Sequence, residues 1–460
     1  MAPFYAVEAD IPGNPREKVT WRWSFLDILC RFHGASPDLG RGGAANNSDA
    51  PHIYMYGRFG NCVGTEELKM LQAFVWWKFR REISTLFRRV IYLFFLRPFE
   101  PLINYLYDRC ANRLLSFKNK PSAAMSHKVA IYLVYQPKGL SNSTFKTINA
   151  LKRNGFSVMV VSNAKLSGAD LNRLSIEAEV TLERPNYGID FGGYRDAVLC
   201  LWSYQISIDE LLILNDSILC HCGDFDDFMS SIEECSEDVI SAVGLKGRQK
   251  EETILASYFV MFRRVVLVHP AFIKFWQTYR MANSRYTTVR RGERALSDFI
   301  KTSGFSSRAM VSEGARLSAA VGALSVNELK LITRYCALTD DTFLSQMKSL
   351  CATWEKSDEK DEKSLLSEFV ASVVARRSPV ASFPYLAHVT LKMPIQKKGS
   401  TLLQRLAVCR FADAITDGFV EGLDPVVVSE IWSQKNRYMA DPVTFSNYRR
   451  LIEAASTAVP

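Results

Sequence analysis

From residue 128 onward, short apolar runs alternate with amphipathic stretches, and this rhythm sets the reading of the chain. Residues 129–135 (VAIYLVY) are apolar throughout, which suits a strand buried on both faces. Asn142 or Ser143 can cap a helix running to Asn154, where Gly155 stops it. Residues 157–161 predict a second strand ending at Ser162–Asn163, and a short helix over 169–174 precedes a third strand at 179–182. A glycine-bearing turn, a helix through Trp202 and a fourth strand at 211–214 follow, and 239–245 and 258–262 continue the sheet. Strands alternating with helices imply an α/β fold with a mostly parallel sheet flanked by helices.

The flanks follow other rhythms. Residues 1–65 are rich in Gly and Asn and predict loops with one short helix near 21–32. Residues 66–117 predict helices interrupted at Pro98 and Pro101. There Phe74, Trp76, Trp77, Phe79, Phe87, Tyr92, Phe94 and Phe95 interleave with Lys78, Arg80, Arg81, Arg88, Arg89 and Arg97. Aromatic and basic residues together suit the headgroup region of an anionic membrane surface. The plainer alternative is a helix packed on the main domain with its basic edge in water. Past residue 325 strand signals fade. Residues 328–354 and 364–375 read as helical, separated by a mixed-charge run at 355–363 that suits a solvated helix face or a linker. The expected domains are therefore 1–125, an irregular N-terminus with basic aromatic helices; 126–325, the α/β domain; and 326–460, a C-terminal helical subdomain.

Composition adds exclusions. The chain has 460 residues, 48% hydrophobic and 23% charged, with a net charge of +9. Residues 71–120 alone hold ten Lys and Arg against three acids, an excess of seven that concentrates most of the positive charge there. No run reaches the roughly 20 apolar residues that a membrane span requires, and no secretory signal is visible. The ten cysteines form no CxxC pair, so reduced thiols in a cytoplasmic protein are expected. Cys220-His221-Cys222 reads as a buried strand end rather than a metal clip. The first strand is not followed by G-x-G-x-x-G, there is no P-loop, and the basic helices accompany no nucleic-acid reader motif.

The informative stretch is Arg184-Pro-Asn-Tyr-Gly-Ile-Asp-Phe-Gly-Gly-Tyr-Arg-Asp196, followed by Leu211-Leu-Ile-Leu214 and Asn215-Asp216-Ser217. Turn, helix, buried strand and polar strand end are what an open α/β sheet needs to present ligand groups at its carboxyl edge. Gly188, Gly192 and Gly193 permit close backbone approach, with Asp190, Arg195 and Asp216 beside them. With Ser162 and Asn163 after strand two and Asn186 after strand three, this layout resembles a GT-A glycosyltransferase. Closer still is the rhamnan synthesis protein F family, to which four segments are similar: 186–195 (NYGIDFGGYR), 212–217 (LILNDS), 257–259 (SYF) and 292–297 (GERALS). Ser378–Pro379 and Met393-Pro-Ile-Gln-Lys397 are a weaker echo, so the resemblance covers residues 128–400.

The resemblance implies a GT-A-like, Rossmann-related fold and a rhamnosyltransferase, with dTDP-L-rhamnose as nucleotide-sugar donor and a lipid-linked saccharide of a surface polysaccharide as acceptor. Direct displacement with inversion is the expected chemistry. Such an enzyme would work in the cytoplasm, peripheral on the inner face of the plasma membrane, with no nucleic-acid partner. Ser162, Asn163, Asn186, Gly188, Asp190, Arg195 and Asn215 are expected at the donor, Arg195 on the diphosphate. Asp216 is expected to hold the diphosphate directly or through Mg²⁺ or Mn²⁺. Because Asn215 and Ser217 replace the carboxylates of an Asp-x-Asp, metal binding there should be weak. Glu293 is the expected base, with Glu251 and Glu252 as alternatives, whereas His269 reads as a helix-entry residue. The rival function is a non-catalytic, membrane-associated module that keeps the fold without turnover.

Overall fold

The computed structural model describes residues 83–84, 86–87, 94, 97–246, 253–311, 315–353, 358–399 and 401–456. The chain divides into two compact units, Met1–Thr85 and Leu86–Pro460, and the fold described is that of the second. The expected helix near 21–32, nearly all of the basic aromatic stretch before Arg97, and Glu251 and Glu252 lie outside the described residues.

Helix α1 (Glu100–Leu114) precedes the sheet, whose strands are β1 (Ser116–Phe117), β2 (Lys128–Val134), β3 (Ser157–Ser162), β4 (Val180–Glu183) and β5 (Glu210–Asn215). After a two-residue strand β6 (Ile218–Leu219) come β7 (Val239–Lys246), β8 (Thr253–Leu255), β9 (Phe259–Arg263) and β10 (Ser307–Val311). The order across the sheet is β1-β4-β3-β2-β5-β9-β7-β10, with β8 paired to β7. The pairings align β2, β3, β4, β5, β7 and β10 in one direction, while β1, β8 and β9 run against them. The expected mostly parallel sheet is present.

Crossover helices follow from the alternation of side chains along β2. Ala130, Tyr132 and Val134 face one core layer with Phe145, Ile148 and Leu151 of α2 (Asn142–Arg153). Val129, Ile131 and Leu133 face the other. There they meet Phe191, Tyr194, Ala197 and Leu201 of α4 (Ile189–Ser203), which follows α3 (Gly168–Glu177) in the chain. Burial on both faces is why this strand reads as an unbroken apolar run. Gly193 lets α4 lie against β2, since a Cβ there would sit 2.2 Å from Leu133 Cδ1.

The C-terminal region is helical, as expected, with differences in detail. The single helix expected over 328–354 is two, Val326–Arg334 and Asp341–Thr353. Between them Tyr335, Cys336, Ala337 and Leu338 are buried, and Ala337 donates its N–H to Ser382 O at 2.7 Å. Asp340 then restarts the helix by accepting from Thr342 N–H. Glu359–Lys363 of the charge run opens the helix Glu359–Val374, whose first turn carries Glu359, Asp361 and Glu362, the sign its dipole favours. One late strand escapes the sequence pattern: β11 (Gln396–Lys397) pairs antiparallel with β6. No helix among the described residues is long and apolar enough to cross a membrane.

Candidate functional site

The chain lays down β2, β3 and β4 outward in one direction and then returns to place β5 on the other side of β2. A ligand crevice belongs outside the carboxyl ends at such a switch point. Asp216, just past β5, joins the two strands: its Oδ2 accepts from Tyr135 N–H at 2.8 Å and from Gln136 Nε2 at 3.1 Å. Its Oδ1 carries no hydrogen bond to a described residue.

Around Asp216 a polar cluster assembles from distant segments. Asn215 Nδ2 donates to Asp190 Oδ2 at 3.0 Å, while Asn215 Oδ1 accepts from the Ser217 hydroxyl and from Ser217 N–H. Lys397 Nζ donates to Ser217 Oγ at 2.5 Å and stands 4.1 Å from the ring centroid of Tyr258. On the far side, Ser257 Oγ donates to Glu293 Oε1 at 2.6 Å, and Tyr194 donates its hydroxyl to Ser257 O at 3.2 Å. Glu293 rides on a π-helical segment, Val289–Arg294, a wide turn of the kind that often marks functional sites.

The charges in this cluster act on each other. Burial pushes the Asp190 carboxyl up to about 6, Lys397 pulls it back, and Asp216 and Glu293 add to the rise. Burial likewise pushes the Lys397 ammonium down to about 8, against the pull of Asp190, Glu293 and Asp216. Perturbed groups gathered in one crevice are a mark of chemistry rather than packing. Lys397 was named in the sequence only within a faint family-like segment. Its place follows from the β6–β11 ribbon, which no apolar periodicity announces. The buried ring of His388 secures that ribbon from behind, with Nδ1 2.5 Å from Met393 O and Nε2 2.7 Å from Gln396 Oε1.

Other expected donor residues serve the scaffold. Arg184, buried, donates to Asp196 Oδ2 at 2.7 Å, Asn163 Oδ1 at 2.6 Å and Tyr187 O at 2.6 Å. Asn163 in turn donates to Ile189 O at 3.2 Å, holding the start of α4. Ser162, fully buried, donates to Ala164 O and shapes its own turn. Gly188 takes φ +80° at the N-cap of α4, and its N–H goes to Asn283 Oδ1 at 2.8 Å. Asn186 is exposed past the end of β4. Arg195, expected on the diphosphate, instead donates to both oxygens of Asp108 and to Trp276 O, so its charge is used against α1. The crevice thus gathers Asp190, Asn215, Asp216 and Glu293 of the expected residues.

The histidines and cysteines take their plain roles. His269 caps a helix by accepting from Ala271 N–H at 3.2 Å. Burial pushes the Cys220 thiol up to about 12 and His221 down to about 4, so both groups are neutral at this buried strand end. The strand-end triplet offers few donors to a divalent ion. Asp216 offers its only carboxylate, one oxygen of which is engaged, and Ser217 Oγ, the next oxygen, already accepts from an ammonium. Among the described residues, no group of three or more His, Cys, Asp or Glu could hold a metal ion.

Comparison with known proteins adds two findings. The chain is 33% identical over 202 residues to the uncharacterized protein y4gN of Sinorhizobium fredii, a stretch covering 43% of this chain and 52% of that protein. The chain therefore spans about half the length of the curated relative it matches. The family described as rhamnan synthesis protein F matches residues 158–322, a region that runs from β3 through β10 and carries Asp190, Asn215, Asp216 and Glu293. Over that region, this chain is similar to the rhamnan synthesis protein F family.

Proposed function

We propose that the protein is a nucleotide-sugar-dependent glycosyltransferase of GT-A-like architecture that extends a polysaccharide. The observation that carries this reading is the cluster of Asp190, Asp216, Glu293 and Lys397 at the switch point between β2 and β5, its three acids inside the family-matched region. The family's description, rhamnan synthesis, supports rhamnose as the sugar; the donor in this reading is dTDP-L-rhamnose and the acceptor a lipid-linked saccharide.

The reaction is a direct displacement with inversion. The acceptor hydroxyl oxygen bonds to the anomeric carbon while the bond from that carbon to the diphosphate oxygen breaks, its electron pair leaving with the phosphate. Glu293 takes the hydroxyl proton. Its carboxylate is held by the Ser257 hydroxyl at 2.6 Å, so orientation is set before the acceptor arrives. Asp216, with Oδ2 fixed by the loop after β2, orients the donor.

The membrane-surface reading, made on the basic aromatic stretch before Arg97, finds support among the described residues in α1. Leu102, Tyr105 and Leu106 are exposed on one side, whereas Tyr107 on the other is buried and Asn104 bonds to Met281. An apolar face with Arg109 stacked 4.9 Å over Tyr105 suits the interface of an anionic bilayer. This would hold the enzyme beside a lipid-linked acceptor on the inner face of the plasma membrane.

The test is to incubate the purified full-length protein with dTDP-L-rhamnose and lipid-linked saccharide, following dTDP release and the mass of the acceptor. Release of dTDP with a deoxyhexose gain in the acceptor supports the proposal. Donor binding without release over a range of acceptors would favour a non-catalytic module.

A further inference from the structure

We propose that Lys397 is the residue that neutralises the leaving diphosphate, occupying the role that a divalent cation fills where the strand end carries two carboxylates. This rests on the glycosyltransferase reading and adds to it a residue from outside the family-matched region.

Three observations lead to it. The first is the donor set: Asn215-Asp216-Ser217 supplies a single carboxylate, and Ser217 Oγ beside it is taken by Lys397 Nζ at 2.5 Å. The ammonium therefore already stands beside that carboxylate at the strand end. The second is the charge balance. Asp190, Asp216 and Glu293 all act on this one point, and an incoming diphosphate would add further negative charge. The other cation within reach is Arg285, which is exposed on its helix, whereas Lys397 sits inside the crevice. Arg184 and Arg195, the remaining cations of the glycine turn, are buried in bonds to Asp196 and Asp108. A diphosphate that entered without Lys397 would meet a net repulsive site.

The third is delivery. Lys397 lies 180 residues from its partner Ser217 and reaches it because β11 pairs with β6, setting Gln396 opposite Leu219 and Lys397 opposite Ile218. Lys398 N–H to Ser217 O at 2.8 Å and the buried His388 ring fix the ribbon at both ends. The ring of Tyr258 lies 4.1 Å from the ammonium, and its π face attracts the charge. A point charge held this way, in a water-poor crevice, is preorganised for an anion that gains charge as the glycosidic bond breaks.

The experiment is titration of the full-length protein with dTDP, UDP and GDP by calorimetry, with and without EDTA, for the wild-type protein, Lys397→Met and Lys397→Arg. Expected is binding of dTDP by the wild-type protein that EDTA leaves unchanged, weakened by about tenfold or more in Lys397→Met and largely restored in Lys397→Arg. Near-ultraviolet circular dichroism and thermal melting verify that each variant is folded, and recovery by the arginine variant separates charge from packing. Binding that EDTA abolishes, or that survives intact in folded Lys397→Met, overturns the role of the lysine alone. Failure of the wild-type protein to bind any of the three nucleotides overturns the glycosyltransferase reading and this inference with it.

Discussion

The terminal nitrogens of Arg195 meet the two carboxylate oxygens of Asp108 at 2.8 and 3.0 Å, so the helix before the sheet is fastened to the helix that carries the glycine turn. Arg195 is buried and Asp108 is about half exposed, with 48% of its side chain accessible. Asp108→Ala leaves a guanidinium without its bidentate acceptor, at an expected cost of about 1–3 kcal/mol in urea unfolding. Affinity for dTDP should stay as in the wild type. A folded Asp108→Ala protein with much weaker dTDP binding would show that Arg195 reaches the donor after all.

Asp216 has a double duty that its strand-end position alone did not reveal. Because Oδ2 holds Tyr135 N–H and Gln136, Asp216→Ala should abolish transfer and also cost roughly 1–2 kcal/mol of stability. Asp216→Asn keeps an acceptor for the loop, so it should melt close to the wild type while still losing most activity. Wild-type activity in folded Asp216→Asn would remove the Asp216 charge from the chemistry.

Glu293→Gln should lower kcat by about a hundredfold or more while leaving KM for the donor nearly unchanged, as expected for loss of a general base. Ser257→Ala, which frees the carboxylate without removing it, should have a smaller effect. An unaltered kcat in folded Glu293→Gln would assign the proton to another group.

The Asp190 carboxyl sits at about 6, above the ordinary value of 3.8. A folded value raised in this way means that the contribution is fully present below the ordinary value and is lost as the pH rises through about 6. Relative to Asp190→Asn, the wild-type protein should therefore gain stability as the pH falls from about 7 to about 5, by on the order of 1–2 kcal/mol. Thermal melting of both proteins across this range measures it. Parallel curves would mean that Asp190 is not held in a water-poor site.

Replacing Leu102 and Leu106 with Ser and Tyr105 with Asn should weaken sedimentation with anionic vesicles, and added salt should weaken wild-type binding further. Substitution is preferable to deleting the whole segment, because Tyr107, Asn104 and Asp108 of the same helix bond to the sheet domain. Unchanged binding by the substituted protein would leave this face without a lipid role.

The sheet was legible because its central strands are buried on both sides, and continuous apolar runs bounded by glycine and polar residues announce themselves. Asp216 was legible for a related reason: an acid directly after such a run must lie at the strand edge. The glycine turn was visible, but its purpose was not. Gly193 makes room for Leu133, and Gly188 orders α4, which are contacts between elements that a linear pattern cannot specify. Arg195 illustrates the same limit, because its partner Asp108 lies 87 residues away on another helix. Lys397 was hidden in a two-residue strand too short to have a period.

The β6–β11 ribbon also sets a schedule for biosynthesis. Its halves are separated by β7–β10 and much of the helical region, so closing it is a non-local step with a large loop to order first. The crevice cannot acquire its ammonium until residue 397 has left the ribosome, long after the parallel strands have had time to pair. A nascent sheet would carry Asp190, Asp216 and Glu293 with Arg285 as their counter-charge, and it would gain the ammonium of Lys397 only when β11 pairs with β6.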